Sequence, residues 1–236
     1  MLHLLHLDAS GRPGRAGEHP HGSHTRALTH RFVQRWSRAQ PGTPVVHRDV
    51  GAQPPTPVTG DWVGSAFTPA AARTAGQRAV LAESEGLVAE LQRADVLVLG
   101  VPMYNFGPPA AFKAWVDQVV RIGLTFDYLP EQPDNPYVPL LTDRPRSAVL
   151  LTSRGGHGYG PGGDMAAMNH LNPAVRTVLG FIGITDVYSI AIEGEEHKDE
   201  AFQQSVALAQ TEADKLVDAL VAQREAACAT PALAVA

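Results

Sequence analysis

Val96-Leu97-Val98-Leu99-Gly100-Val101 runs straight into Pro102-Met103-Tyr104-Asn105-Phe106-Gly107-Pro108-Pro109. The first stretch is short, apolar throughout and closed by a proline. That reads as a strand buried on both faces, as in a sheet covered by helices above and below. The second stretch is a rigid aromatic loop. Pro109 then opens a helical pattern that reaches Ile122, because proline suits the first turn of a helix. A buried strand feeding a helix through a short loop is one half of a βαβ unit.

The same pairing recurs on both sides. Leu2–Leu7, Val45–Val50, Ala148–Thr152 and Ile184–Ile192 supply four more strands, of which Val45–Val50 is half-buried. Helical spacing appears over Thr25–Arg38, with Leu28, Phe32 and Val33 on one face. It appears again over residues 69–92, with Val80, Leu81, Leu87, Val88 and Leu91. Residues 173–182 and 199–224 complete the set. The alternation predicts an α/β fold, a doubly wound five-stranded parallel sheet of flavodoxin-like order 2-1-3-4-5 with helices on both faces. Residues 11–22 and 52–68 read as irregular. Residues 127–146, rich in proline, read as an extra loop or hairpin between the third helix and the fourth strand. Residues 1–224 are expected to form a single domain, and residues 225–236 a disordered tail.

Composition narrows the class. A chain of 236 residues with a hydrophobic fraction of 44% can bury one sizeable core. The formal charge of -5 comes with scattered basic residues, which argues against nucleic acid as a partner. No apolar run is long enough to span a membrane. The apolar start, MLHLLHLDAS, lacks the basic residues and cleavage site of a signal peptide. With a single cysteine, Cys228, a cytoplasmic location is expected.

In a doubly wound sheet, ligands bind beyond the C-terminal strand ends where the strand order reverses. That places a site after the first, third and fourth strands. After the first come Ser10 and then Gly22-Ser23-His24-Thr25 at a helix start, where hydroxyls and free amides suit a phosphate monoester. After the third, Tyr104 and Phe106 can wall a planar ring, and the amides of Asn105 and Phe106 can meet its edge. After the fourth come Ser153-Arg154-Gly155-Gly156-His157-Gly158, where paired glycines allow close backbone approach. Read alone, each loop also fits an ordinary structural role: a helix cap, aromatic core plugs, a glycine turn. GxxxxGK[ST] does not occur and no GxGxxG joins the first strand to the first helix, which disfavours a P-loop and a dinucleotide-type site. His19, His21 and His24 lie close in sequence but lack an acidic or cysteine partner at a ligand spacing, so no metal is expected.

Three stretches carry a resemblance: PMYNFGPPAAFKAWVDQVVRIGLTF at 102–126, LLTSRGGHGYGP at 150–161 and GFIGITDV at 180–187. Together they are similar to the FMN-dependent NADH:azoreductase family of flavodoxin-like quinone and azo reductases. The hallmarks of that family are a PMYNF loop, an R-x-G-x-T-F stretch and an SRGG loop. The resemblance implies a homodimer with one non-covalent FMN per subunit, an NADH or NADPH donor, and a flat aromatic acceptor such as a quinone or azo compound. By the same resemblance Ser10, Ser23, His24 and Thr25 would hold the phosphate. Pro102, Met103, Tyr104, Asn105 and Phe106 would form the isoalloxazine loop, and Ser153, Arg154, Gly155 and Gly156 the pyrimidine-edge loop. Phe126 would overhang the substrate face, across the dimer, and His157 would serve as a proton source.

The chain also departs from the family. The loop between Ser10 and Ser23 and the 127–146 excursion are longer than usual, and His157 follows SRGG directly. These departures keep a specialised biosynthetic flavoenzyme, acting on an aromatic or N–N compound, open as an alternative. A flavodoxin-like electron carrier and a structural or regulatory protein that lost its cofactor are the others. The intact PMYNF and SRGG loops disfavour the last.

Overall fold

The computed structural model describes residues 2–132 and 134–229. Five parallel strands form one sheet. They are β1 (Leu4–Asp8), β2 (Val45–Asp49), β3 (Val96–Gly100), β6 (Ser147–Ser153) and β7 (Asp186–Ile192), in the order β2-β1-β3-β6-β7. This is the expected 2-1-3-4-5 order, with a two-stranded hairpin counted between. That hairpin pairs β4 (Phe126–Tyr128) with β5 (Tyr137–Pro139), antiparallel, inside the proline-rich excursion.

Side-chain alternation along the strands divides the core in two. Leu4, Val96, Val98, Val149 and Leu151 pack on α1 (His24–Ala39) and α6 (Glu200–Ala229). Leu5, Leu7, Leu97, Leu99 and Leu150 pack on α3 (Ala75–Arg93), α4 (Ala110–Val119) and α5 (Leu171–Ile182). The central strands β1 and β3 are buried at every position, whereas β2, at the edge, is not.

Three expectations are corrected. Residues 52–68, read as irregular, contain the helix α2 (Gly60–Phe67). Thr59 caps it, accepting from the Trp62 amide at 3.3 Å, and Trp62 and Ala66 pack on Leu81. The helix expected over residues 69–92 begins at Ala75, where Thr74 and Gln77 form a capping box, and a separate 3-10 turn spans Ala70–Ala72. Val80, placed on the buried face from its spacing, is 41% exposed. At the C-terminal end, α6 continues through Ala229, and residues 230–236 of the expected tail lie outside the described residues.

Candidate functional site

The C-terminal ends of β1, β3 and β6 open on a cleft of about 340 Å³. Ser10, Ser23, His24, Pro102, Met103, Tyr104, Asn105, Ser153, Arg154 and Gly155 line it. The structure thus brings together residues from three loops that lie far apart in sequence.

The loop after β1 is held by Arg26. Its guanidinium donates to the Ser10 carbonyl at 2.8 Å and the Arg12 carbonyl at 2.9 Å, and clamps Asp49 at 2.6 and 2.7 Å. Ser23 is the N-cap of α1, with its Oγ accepting from the Arg26 amide at 3.3 Å. The long insertion folds back on itself: Ala16 donates to the Ser23 carbonyl at 3.0 Å, and Ser23 to the Gly14 carbonyl at 3.1 Å. Gly22 lies so close to the Arg15 carbonyl that a Cβ there would stand 2.2 Å from its oxygen. Thr25 is fully buried behind Ser23, with the two hydroxyls 2.9 Å apart, so it supports the cleft and does not line it.

The loop after β3 is a tight turn. Tyr104 and Gly107 exchange amide–carbonyl hydrogen bonds at 2.9 and 3.1 Å, while Asn105 (φ 46°) and Phe106 (φ 70°) both take left-handed backbone. That conformation is unfavourable for L-residues other than glycine and, less so, asparagine. The Phe106 carbonyl accepts from the His170 amide at 2.9 Å, which pins the turn. Tyr104 faces the cleft, and its hydroxyl accepts from the Gly11 amide at 3.3 Å. Phe106 sits at the rim, 40% exposed.

The loop after β6 is zipped to the loop after β7. Arg154 donates to the Ile192 carbonyl at 2.8 Å, Glu195 to the Arg154 carbonyl at 3.0 Å, and Glu196 to the Gly155 carbonyl at 3.0 Å. The zipper brings Glu195 and Glu196 to the cleft wall. A Cβ on Gly155 would lie 2.6 Å from the Glu196 carboxylate.

The guanidinium of Arg154, placed by resemblance in the pyrimidine-edge loop, turns the other way. It is buried, donating to Glu193 at 2.8 Å and to Asn172 at 2.8 Å. His157 also leaves the cleft. Its ring lies over Gly194, where a Cβ would come within 2.1 Å of it, and stacks on His197 with centroids 5.2 Å apart. Gly156 faces Tyr159 and does not line the cleft. Phe126 lies on the hairpin, against Phe181 at 5.0 Å between centroids, and does not line the cleft of its own chain.

Sequence reasoning missed Arg12, Glu195 and Glu196. Arg12 lines the cleft with Ser10 and Ser23 and pairs with Glu195 at 2.7 Å. The signal for Arg12 was its place in a loop already suspected of holding an anion. For the two glutamates it was their position just after the last strand. Burial holds the His24 imidazole below its ordinary value, and the residue lines the cleft.

The donor set fits a flat phosphate ester. Two serine hydroxyls, Arg12 and the start of α1 gather at one end, a rigid turn with Met103 and Tyr104 stands in the middle, and backbone at Gly155 approaches closely at the other. Residues 3–216 match the model of a family described as having a flavodoxin-like fold. The chain is 44% identical to the FMN-dependent NAD(P)H:quinone oxidoreductase 1 of Pseudomonas aeruginosa over 206 residues, covering 87% of this chain and 93% of that one. The chain belongs to this flavodoxin-like oxidoreductase family. Another member, the FMN-dependent NADH:quinone oxidoreductase 1 of Pseudomonas fluorescens, is 44% identical over 211 residues, covering 89% and 95% of the two chains. Among solved structures, an azoreductase from Bacillus anthracis superposes with a TM-score of 0.78 at 25% identity, over 92% of this chain and 99% of that chain. Among the described residues, no helix is long and apolar enough to cross a membrane.

Proposed function

We propose that the chain is an FMN-dependent reductase that takes two electrons from NADH or NADPH and passes them to a quinone or an aromatic azo compound. The observation that carries this reading is the convergence of Ser10 and Ser23, Met103 to Asn105, and Ser153 to Gly155 on one cleft. It occurs in a chain that is 44% identical to a quinone oxidoreductase over 206 residues, 87% of its length.

Bound FMN would supply the centre that accepts and returns a hydride. The chain's own residues position it and tune its surroundings. Ser10, Ser23 and Arg12 would hold the phosphate, with the α1 amides behind them. Met103, Tyr104 and Asn105 would support the ring system. The amide at Gly155 would stand at its pyrimidine edge, where a fixed donor favours negative charge. Donor and acceptor would use the same open face in turn, so a ping-pong order is expected. Phe126 would complete that face in a cytoplasmic homodimer, across the seam. The aromatic hairpin supports this, since Tyr128 and Tyr137 are 45% and 47% exposed beside it. His157 would reach the reacting region only if its loop leaves Gly194.

The test is to release the cofactor of the purified protein by heat and identify it by chromatography. The loaded protein is then bleached anaerobically with NADH and re-oxidised with a quinone. FMN and full recovery of the oxidised spectrum are expected. FAD, no flavin uptake, or no bleaching would overturn the reading. Sedimentation showing an active monomer would remove the dimer.

A further inference from the structure

At the open edge of the sheet, beneath α1, three side chains converge on one point. His6 and Asp8 sit two residues apart on β1 and so share a face, and His47 on β2 is paired with His6 in register. Asp8 Oδ2 lies 3.2 Å from His6 Nε2 and 3.0 Å from His47 Nε2. The ligand atoms of all three lie within 4.8 Å of one another. Among the described residues this is the one group of three histidine, cysteine or carboxylate side chains so placed. His19, His21 and His24 form no such group.

We infer that His6, Asp8 and His47 form a binding site for a divalent transition metal of the zinc class. Four ligands at about 2.0–2.1 Å around a tetrahedral ion stand roughly 3.3 Å from one another. The two measured separations fall close to that value. His6 Nε2 is buried and makes no hydrogen bond, even though Asp8 is within 3.2 Å. His47 Nε2 is hydrogen-bonded to the same oxygen, so His6 Nε2 is the polar atom left without a partner, and an ion shared by the three side chains would satisfy it. Asp8 is oriented by Thr29, which donates to Oδ1 at 2.9 Å and leaves Oδ2 for the site. Such outer contacts are what fix a metal ligand in place.

Two imidazole donors beside one carboxylate favour zinc, cobalt, nickel or copper over magnesium or calcium, which take all-oxygen sites. Arg26, 3.6 Å from Asp8, opposes a cation, but its charge is committed to Asp49. Asp8, Asp49 and Arg26 together leave one net negative charge beside the two imidazoles. The His47 side chain is 50% exposed, which gives an ion a way in and leaves the fourth position to water. The site tethers edge strand β2 to β1, two residues before Ser10, and does not depend on flavin.

The test is equilibrium dialysis of the metal-stripped, full-length protein against micromolar free zinc, with metal counted by mass spectrometry. Cobalt in place of zinc should give the visible absorption of a four-coordinate nitrogen–oxygen site in flavin-free protein. One zinc per chain is expected, with affinity falling by at least ~10-fold in His47→Ala, since a direct ligand should matter no less than its supporting shell. His47 is exposed, so that variant should fold, with circular dichroism as the check. His19→Ala and His21→Ala should bind as the parent does. No zinc uptake, or equal uptake by His47→Ala, would overturn the site and leave an ordinary Asp8–His47 ion pair. Uptake lost in His19→Ala or His21→Ala would place the metal in the loop instead and overturn it equally.

Discussion

Glu193 clasps Arg154: the guanidinium Nη1 donates to Glu193 Oε1 at 2.8 Å, with the arginine side chain 2% exposed. The same carboxylate accepts the amides of Gly158 at 3.0 Å and Tyr159 at 3.1 Å. One acid at the end of β7 therefore fixes the whole loop after β6. Removing one member of a buried pair leaves the other charge without compensation, at a cost of about 3–5 kcal/mol. Glu193 itself is 22% exposed, so water recovers part of this. Glu193→Ala should lose about 2 kcal/mol of stability by urea unfolding. It should also weaken FMN binding, although Glu193 does not line the cleft. Unchanged flavin affinity in a folded Glu193→Ala would show that the loop holds its shape without the clasp.

Phe106 carries the clearest strain near the cleft, with φ of 70° and a side chain 40% exposed. Such backbone costs on the order of 1–3 kcal/mol for a non-glycine residue. Glycine relieves it, less its own entropy loss of about 0.5–1 kcal/mol. Phe106→Gly should therefore be more stable than the parent by roughly 1 kcal/mol in flavin-free unfolding. If the turn is strained in order to present its amides to FMN, the same variant should bind FMN less tightly, because glycine lets the turn relax. A loss of stability would mean that the exposed ring is packed better than its accessibility indicates.

Much of this was legible in the sequence, for identifiable reasons. VLVLG has no polar position and AVLLT only its last, Thr152, and only a strand covered on both faces tolerates that. The strand order followed from the alternation, and the order located the cleft. What stayed hidden was side-chain direction. Nothing in Ser153-Arg154-Gly155 says that the arginine turns from the cleft toward Glu193, because its partner is 39 residues away. Likewise Gly194 carries no local sign that His157 will cover it. The helix Gly60–Phe67 was masked by the prolines before it, although Thr59 with Trp62 and Ala66 was a readable cap and face. The His6–Asp8–His47 cluster needs the β1–β2 register, which a sequence does not print.

Gly155 and Gly156 differ in what a side chain would meet. At 155 a Cβ would stand 2.6 Å from the Glu196 carboxylate, and at 156 it would stand 3.3 Å from the Tyr159 ring. The glutamate end can swing away, so Gly155→Val should fold. Its side chain would still occupy the cleft wall and push the backbone from the flavin edge. Loss of one fixed donor there is worth about 3 kcal/mol of charge stabilisation. FMN affinity or the rate of reduction by NADH should fall by tenfold or more in Gly155→Val, and less in Gly156→Val. Parental behaviour of Gly155→Val in anaerobic stopped flow would remove this loop from the flavin's contacts.

His24 gives the cleft a pH response. Burial lowers its imidazole from the ordinary value of 6.5. As pH falls through 6.5, the unfolded chain takes up a proton before the folded one does. The stability that depends on a neutral His24 is complete above that pH and declines below it, until the folded ring also protonates. His24→Asn should therefore lose less stability than the parent between neutral and mildly acidic pH, by denaturant titration at each. An identical pH slope in the two proteins would show that the ring is freely solvated.

Arg12 and Glu195 pair in the cleft that Ser10 and Ser23 also line, where the proposed phosphate would sit, 2.7 Å apart, with Arg12 half-exposed and Glu195 mostly covered. A phosphate arriving there competes with Glu195 for the same guanidinium. An exposed charge pair contributes on the order of 1 kcal/mol, about fivefold in affinity. Arg12→Ala should weaken FMN by roughly that factor, and Glu195→Gln should strengthen it by a similar one, because the arginine is then free and one repelling carboxylate is gone. Riboflavin has the ring system but no phosphate, so its affinity should change in neither variant. The salt dependence of FMN binding should also shrink in Arg12→Ala, since screening acts on the contact that was removed. Equal losses for FMN and riboflavin in Arg12→Ala would show that the arginine shapes the cleft as a whole and does not read the phosphate.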